Sequence, residues 1–295
     1  MRRSNFVAGT SAAISTLGMK IPTFAAASAT AAIEKIEAET RGRLGVVITD
    51  TGTGKTIGYR ARERFPMCST FKVLAVSAIL SRVDSGDETL DRHVSYSAAD
   101  LLDYAPVART HVGDGFMTLD ALCEAAIQYS DNTAANLLLK VLGGPQAVTQ
   151  FARAHGDPTT ILSRTEPTLN TAIPGDTRDT TTPAAMAEDL QKFILGTALK
   201  PASRGKLTKW MVECRTGDTC LRAGIPHSWM VGDKTGSGGA TNTFGDSDTR
   251  NDIAVVWPPG RAPLVITVYL TESKLPADRR DSAVATLGRM ATAFA

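Results

Sequence analysis

Residues 66–80 constrain the fold more than any other part of the sequence. They read PMCSTFKVLAVSAIL, and after Lys72 the next charged residue is Arg82. A helix that is apolar on every side lies buried in a core, where an ammonium group is costly unless it is paired. Residues three apart share a helix face, so we expect the Lys72 amine to reach the Ser69 hydroxyl. The alternative is a lysine that extends to the surface beside an ordinary serine.

Composition and charge are those of a soluble globular protein. The chain has 295 residues, of which 43% are hydrophobic and 21% are charged. The net charge is +2 and no block of like charge stands out, so we expect neither a nucleic-acid partner nor an anionic membrane partner. This length is enough for one large domain or two smaller ones with a sizeable core.

The first 27 residues resemble a signal peptide. A basic start, Met1 to Phe6, precedes a weakly apolar run that ends in small residues at 25–29. The pair Arg2 and Arg3 suggests export by the twin-arginine route. Cleavage near Ala27 would change the net charge from +2 to −1. No other stretch approaches the ~18 apolar residues of a membrane span. We therefore expect an exported, periplasmic or secreted monomer without a membrane anchor.

The cysteines and histidines do not indicate a metal site. Cys68 and Cys123 lie in apolar surroundings and are typical of small buried hydrophobic residues. Cys214 and Cys220 are close in sequence, and the sequence leaves open whether they form a disulfide. No Cys or His pair has the spacing of zinc ligands, so we expect no metal and no other cofactor.

Hydrophobic patterns place strands at both ends of the chain and helices between them. Strands are predicted at 44–48, 56–59, 229–234, 251–257 and 264–271. Helices are predicted at 29–39, from about 69, and at 119–129, 132–142, 145–154, 183–195, 201–213 and 278–294. A helical turn is predicted at 100–104. Residues 156–182 show no regular pattern, and a loop of this length in a compact protein is usually functional.

This order predicts an α/β (α+β) fold with a discontinuous domain. Residues 28–61 and 214–295 would form an α/β domain, in which terminal helices flank an antiparallel five-stranded sheet. Residues 62–213 would form an all-α domain beside it. We expect the active site in the crevice between the two domains.

Three further motifs accompany Ser69 and Lys72. They are the tripeptide beginning at Ser130 (SDN), the pentapeptide beginning at Glu166 (EPTLN) and the tripeptide beginning at Lys234 (KTG). Ser-x-x-Lys, Ser-Asp-Asn and Lys-Thr-Gly together are the signature of class A β-lactamases and penicillin-binding proteins. Each motif occurs singly by chance, but the set in this order is specific. The chain resembles a class A serine β-lactamase over its whole mature length.

The resemblance implies the catalytic residues. Ser69 would open the β-lactam amide of penicillins and cephalosporins and form an acyl-enzyme. Either Lys72, or Glu166 through a water, would remove its proton. Ser130 would pass a proton to the leaving nitrogen. Glu166 together with Asn170 would hold the water that releases the product, and the activity would confer antibiotic resistance.

The resemblance also implies the substrate-binding residues and a scaffold for the loop. Asn132 would hold the side-chain amide of the substrate. Its carboxylate would lie against Lys234, Thr235 and Ser237, with Arg280 as the remaining candidate for a binding arginine, since we expect none on the strand after Lys234. Tyr104 would form a wall of the cleft. An ion pair between Arg164 and Asp179 would close the neck of the loop, and Asp131 and Asn136 would be structural.

Some features differ from the family pattern. Cys68 resembles the cysteine beside the nucleophile of carbapenem-hydrolysing members, but the position of its partner is occupied by Gly238. The hairpin tip at 239–250 is several residues longer than usual. Two other functions remain open: a D-alanyl-D-alanine peptidase, which would lack the loop of Glu166 and Asn170, and a sensor that binds β-lactams without hydrolysing them.

Overall fold

The computed structural model describes residues 24–239 and 248–294. The described residues form ten α-helices: α1 Phe24–Thr40, α2 Phe71–Ser85, α3 Ala108–His111, α4 Leu119–Gln128, α5 Asn132–Leu142, α6 Pro145–Ala154, α7 Pro183–Leu190, α8 Pro201–Val212, α9 Leu221–Gly224 and α10 Ala277–Phe294. They also form nine strands: β1 Arg43–Asp50, β2 Thr56–Tyr59, β3 Phe65–Pro66, β4 His93–Ser95, β5 Phe116–Thr118, β6 Thr180–Thr181, β7 Met230–Gly238, β8 Thr249–Trp257 and β9 Leu264–Thr271. Residues 1–23 of the predicted signal peptide and residues 240–247 of the hairpin insert lie outside the described residues.

A five-stranded sheet in the order β2-β1-β9-β8-β7 organises the fold, and every pair of neighbours is antiparallel. The predicted fold class is confirmed. Successive residues of β1 face opposite sides of the sheet: Val46 and Ile48 belong to one apolar cluster, with α1 and α10, and Val47 belongs to the other. Because both faces are covered, the central strands are almost continuously buried.

Helix α2 lies in the middle of the apolar cluster that contains Val47. Every residue from Phe71 to Leu80 is buried, and this includes Lys72. The prediction of a helix buried on all sides is therefore confirmed. The α-helix begins later than predicted, at Phe71. Ser69 lies in the 3₁₀ turn Cys68–Thr70 that directly precedes α2.

Side-chain caps fix the helices around the site. Thr118 caps α4 as predicted, because its hydroxyl accepts a hydrogen bond from the Ala121 N–H. Asp131 caps α5 through the Ala134 N–H at 2.8 Å and also accepts from the N–H groups of Val107 and Ala108. Asp131 is thus structural, since it ties the segment before α3 to the start of α5.

The structure corrects several predicted boundaries. Strand β7 continues to Gly238 rather than ending at Lys234, because its pairing with β8 runs on to Gly238 opposite Thr249. The predicted helical turn at 100–104 is a 3₁₀ turn at Ala98–Asp100. The helical part of the chain also contains two short strand pairs, β3 with β6 and β4 with β5.

Two further features of the described residues concern membrane-spanning helices and cysteines. No helix among the described residues combines the length and apolar character that crossing a bilayer requires. All four cysteines are free and buried, so Cys214 and Cys220 are not joined.

Candidate active site

A cavity of about 470 Å³ lies between β7 and the helical part of the chain. It brings together most of the predicted site residues, which line it as follows: Ser69, Tyr104, Ser130, Asn132, Asn170, Thr235, Ser237 and Arg280. Lys72, Glu166 and Lys234 are buried in its wall. Tyr104 is therefore at the wall of the cleft, as predicted.

Lys72 is fully buried and surrounded by oxygen atoms. Its Nζ donates to Ser69 Oγ at 3.0 Å, to Ser130 O at 2.7 Å and to Asn132 Oδ1 at 2.7 Å, and lies 3.1 Å from Glu166 Oε1. Burial lowers the pKa of Lys72, and the charge of Glu166 opposes this shift. The alternative of a lysine that extends to the surface is wrong.

Glu166 lies against the Ser69 hydroxyl, which donates to Oε1 at 3.3 Å. The other oxygen, Oε2, accepts from Asn170 Nδ2 at 2.5 Å. Asn136 fixes the backbone on both sides, because its Nδ2 donates to Glu166 O and its Oδ1 accepts from Glu166 N, each at 2.9 Å. These contacts hold the Glu166 carboxylate against the Ser69 hydroxyl, although the two residues are 97 positions apart in sequence.

Ser130 stands between two buried amines. Lys234 Nζ donates to Ser130 Oγ at 3.0 Å, and Lys72 Nζ lies 3.3 Å from the same oxygen. Lys234 also donates to Thr235 O at 2.8 Å. Burial lowers the pKa of Lys234 to about 8, so its positive charge is retained at neutral pH but is easily lost above it.

The loop that carries Glu166, residues 156–182 (the Glu166 loop), is closed at its neck by Asp179. This carboxylate is wholly buried. Its Oδ1 accepts from the N–H groups of Ser163 and Arg164 at 2.7 and 2.9 Å, and its Oδ2 accepts from Arg164 Nε at 2.5 Å. The expected ion pair between Arg164 and Asp179 is formed.

Arg250 lies in the cavity, and the sequence analysis missed it. It pairs with Ser237 across β7 and β8, and its Nη1 donates to Ser237 Oγ at 3.0 Å. Its Nε donates to Asp281 Oδ1 at 2.7 Å. The expectation that the strand after Lys234 has no arginine was therefore wrong. The long hairpin separates Arg250 from the motif at Lys234, and Arg250 directly precedes the predicted strand at 251–257.

Arg280 lines the same cavity but is tied to the backbone. Its Nη1 donates to Leu275 O at 2.6 Å, and its Nε has no hydrogen-bond acceptor among the described residues. Burial lowers the pKa of Arg280. Both arginines thus lie at the site, and Arg250 is the one that contacts a predicted binding residue.

Asn251 is a second residue whose place the sequence did not indicate. Its Nδ2 donates to Pro66 O at 2.8 Å and to Met67 O at 3.1 Å. These two carbonyls directly precede the turn of Ser69, so β8 holds the turn in place. Strand β7 also approaches closely: a Cβ at Gly236 would lie 2.8 Å from Met67 O, so only glycine fits there.

Gly238 lies next to Cys68. A Cβ at Gly238 would lie 2.3 Å from Asn170 O and 2.7 Å from Cys68 Sγ, so this conformation has no room for a side chain there. The position expected for a partner cysteine of Cys68 is occupied by this glycine. Since that partner is absent, the Cys68 thiol is free and buried, and burial raises its pKa.

Comparison with known proteins gives concordant matches. A family model described as the β-lactamase enzyme family matches residues 28–295. The β-lactamase Toho-1 of Escherichia coli is 50% identical over 260 residues, which cover 88% of this chain and 87% of Toho-1. The β-lactamase L2 of Stenotrophomonas maltophilia is 49% identical over 271 residues, covering 92% and 87%. A solved ancestral (GNCA) class A β-lactamase matches with a TM-score of 0.86 and 57% identity, covering 90% of this chain and 99% of the ancestral one.

Proposed function

This chain belongs to the class A β-lactamase family, and from that premise we propose how its residues carry out the reaction. The protein is a hydrolase that opens the amide bond of small-molecule β-lactams, an activity that confers resistance to them. Within that activity, the substrates that we propose are penicillins and cephalosporins, and the intermediate is an acyl-enzyme on Ser69.

Acylation begins with the attack of Ser69 Oγ on the lactam carbonyl. Glu166 is the favoured proton acceptor, because the Ser69 hydroxyl donates to it at 3.3 Å whereas Lys72 donates to Ser69. Lys72 in its neutral form is the alternative base, which its lowered pKa makes accessible. The N–H groups of Ser69 and Ser237 would bind the developing oxyanion. Such a donor lowers the activation barrier by about 3–4 kcal/mol.

Collapse of the tetrahedral intermediate requires a proton on the lactam nitrogen. Ser130 faces the cavity and contacts both Lys72 and Lys234. The Ser130 hydroxyl can therefore donate its proton to the nitrogen and take up another proton from one of the two buried amines. We assign Ser130 this transfer.

Deacylation needs a water activated beside the ester. Glu166 and Asn170 converge on the same side of Ser69, and their direct hydrogen bond fixes both side chains. Glu166 would take the proton of a water that attacks the acyl carbonyl. The proposal rests on one observation above all, the direct contact between Glu166 and Ser69, since a peptidase or a sensor that only becomes acylated has no need of this carboxylate.

The substrate would be held at both ends. Its carboxylate would lie against Lys234, Thr235 and Ser237, and we add Arg250 because its guanidinium already contacts Ser237. Arg280 remains a secondary candidate from the rim of the same cavity.

The side-chain amide of the substrate would lie against Asn132, which lines the same cavity. Tyr104 would pack beside it, since both residues line the wall there. The steps proposed here use only protein side chains and water. Among the described residues, no group of three or more His, Cys, Asp or Glu side chains is arranged to hold a metal ion.

We further propose the organisation of the chain. Residues 28–61 with 214–295 form the α/β domain, and residues 62–213 form the helical one. Residues 1–27 serve as a signal peptide, and the mature protein acts in the periplasm or outside the cell as a monomer without a membrane anchor.

The test compares two variants of the mature protein with a chromogenic cephalosporin. Ser69→Ala should abolish turnover and form no adduct. Glu166→Ala should accumulate a covalent acyl-enzyme, visible by mass spectrometry as a mass increase of one substrate. Glu188→Gln, which changes an exposed acid on α7, is the matched control and should turn over like the parent. Parent-like turnover by Glu166→Ala would refute the assigned role.

A further inference from the structure

A buried acidic pair outside the cavity has no part in the proposed reaction. Asp189 lies on α7, and its side chain is completely buried. Neither of its oxygens accepts a hydrogen bond from an N–H or O–H donor among the described residues. The nearest cation, Lys192, is partly exposed. Its Nζ lies 3.5 Å from Oδ1, a distance longer than that of an ordinary charge-assisted hydrogen bond.

The second acid of the pair is Asp157, at the start of the Glu166 loop. Asp157 is also buried, and it accepts hydrogen bonds from the N–H groups of Thr159 at 2.6 Å and Thr160 at 3.1 Å. The residue before it, Gly156, lies beside Lys192, the ammonium that approaches Asp189: a Cβ at Gly156 would lie 3.9 Å from Lys192 Nζ, which is 3.5 Å from Asp189 Oδ1. The negative charge of Asp157 accordingly raises the pKa of Asp189. Two neighbouring buried carboxyl groups cannot both be ionised without strong repulsion.

The charges around the two carboxyl groups favour one bound proton. Lys192 is the only ammonium that faces Asp189, so two ionised carboxylates would leave one uncompensated negative charge among the described residues. On the α6 side, Arg153 donates to the backbone oxygen of Asp157 rather than to its carboxylate, and His155 is bonded to the Phe151 carbonyl.

The remaining neighbours do not supply a proton either. Arg64 donates to the backbone of Thr159. Tyr269 on β9 shares its hydroxyl with Thr70, and burial raises its pKa. Asp189 is therefore the member of the pair that needs the proton, because two backbone N–H groups stabilise the Asp157 carboxylate and none stabilises Asp189.

We propose that Asp157 and Asp189 share one proton, held by Asp189, and that this carboxylic acid–carboxylate pair fastens the start of the Glu166 loop to α7. Loss of the proton at alkaline pH would place two like charges together and loosen the loop. Burial and the charge of Asp157 raise the pKa of Asp189 to about 8, so the change falls just above neutral pH.

The pair is connected to the catalytic carboxylate through the first limb of the loop. Thr160 shares a hydrogen bond of 2.7 Å with Thr181, and Ile161 N–H donates to Thr180 O at 2.9 Å. Four residues further on, Thr165 leads into Glu166. Movement at Asp157 therefore acts on the limb that positions Glu166, and this consequence for deacylation rests on the function proposed above.

The shared proton can be observed directly by NMR of the mature protein labelled with ¹³C at the aspartate carboxyl carbon. We expect one resonance that titrates near pH 8, is missing in Asp189→Asn and persists in Glu188→Gln, the exposed neighbour on α7. Asn at position 189 keeps the shape and supplies an N–H to Asp157. If Asp189→Asn loses no resonance that titrates above pH 6, the proposal is overturned.

Thermal unfolding gives a second and independent readout. The folded state holds a proton that the unfolded chain has released, so stability should fall as the pH rises from about 4 to about 8. The unfolding midpoint of the wild type should therefore fall relative to that of Asp189→Asn over this range, and Glu188→Gln should follow the wild type. Parallel curves for the wild type and Asp189→Asn would overturn the proposal.

A measurement on the wild type alone covers the case in which Asp189→Asn does not fold. Amide exchange of Thr160, whose N–H donates to Asp157, should accelerate above pH 8 by more than the tenfold per pH unit of base-catalysed exchange. Exchange that follows the base-catalysed slope throughout would count against the pair.

The link to deacylation is judged separately. The deacylation rate should fall above pH 8 in the wild type and in Glu188→Gln, and should fall less in Asp189→Asn; equal profiles for all three would refute the link. The NMR, unfolding and exchange measurements use no β-lactam, so they judge the shared proton even if the proposed hydrolysis were wrong.

Discussion

Replacing Arg164 by alanine tests whether the neck of the Glu166 loop is fixed by a buried ion pair. The change removes the guanidinium from Asp179, which is 0% exposed, while the N–H groups of Ser163 and residue 164 still reach Oδ1. Asp179 Oδ2 then loses its partner. Removing one member of a buried pair is strongly destabilising because it leaves an uncompensated buried charge.

The expected loss is about 3–5 kcal/mol, since Arg164 is 18% exposed and Asp179 is fully buried. Opening of the loop limits this loss, because it lets water reach the carboxylate. At about 1.4 kcal/mol for each tenfold change, 3 kcal/mol corresponds to amide exchange that is roughly 100-fold faster at Ser163. Because Glu166 moves with the loop, deacylation should slow more than acylation.

The matched control is Arg178→Ala. Arg178 pairs with Asp176 on the same loop at 2.8 Å, but its side chain is 54% exposed, and exposed pairs contribute little. Urea unfolding, amide exchange and accumulation of the acyl-enzyme should change clearly in Arg164→Ala and hardly in Arg178→Ala. If the two variants behave alike in all three measurements, the buried pair does not hold the loop.

Three further predictions concern the opposite wall of the cavity. Arg250→Ala should lower kcat/KM for carboxylate-bearing β-lactams by about 10- to 150-fold, the equivalent of a charge-assisted hydrogen bond of about 1.5–3 kcal/mol, and Arg280→Ala should lower it less; equal losses would contradict the assignment. Asn251→Ala removes two hydrogen bonds next to the nucleophile turn and should destabilise the fold by about 1–3 kcal/mol and slow the acylation burst, whereas an unchanged burst would argue against this role. Lys234 loses its charge above pH 8, so KM should rise there, and a KM that does not change with pH would rule this out. Stability should increase from about pH 8 to pH 10.5, because in this range only the unfolded chain still holds the proton.

The sequence predicted the elements whose signals are local. Helix α5 begins and ends at the predicted residues, because Asp131 caps one end and Gly143 closes the other in a left-handed conformation. Strand β9 was also predicted at its observed bounds, since it is dominated by Leu, Val, Ile and Tyr. The end of β7 was predicted wrongly, because Gly236 and Gly238 are poor strand formers and only their pairing with β8 keeps them in the sheet.

The sequence by itself determined the family, the fold class and the residues that can do the chemistry. These follow from patterns that are local along the chain: an apolar run interrupted by Lys72, a long loop that carries Glu166, and short motifs in a fixed order. The resemblance reached the proposed nucleophile, Ser69, and its proposed partners because the motifs carry the reactive groups themselves.

Only the tertiary structure decided which of these groups touch, and how. The contact of Glu166 with Ser69, the pairing of Arg250 with Ser237 and the approach of the start of the Glu166 loop to Lys192 and Asp189 depend on sheet register and helix packing. No local pattern encodes them, because each joins groups that are far apart in sequence or displaced by an insertion. Burial by the folded core is what shifts the pKa values of these groups.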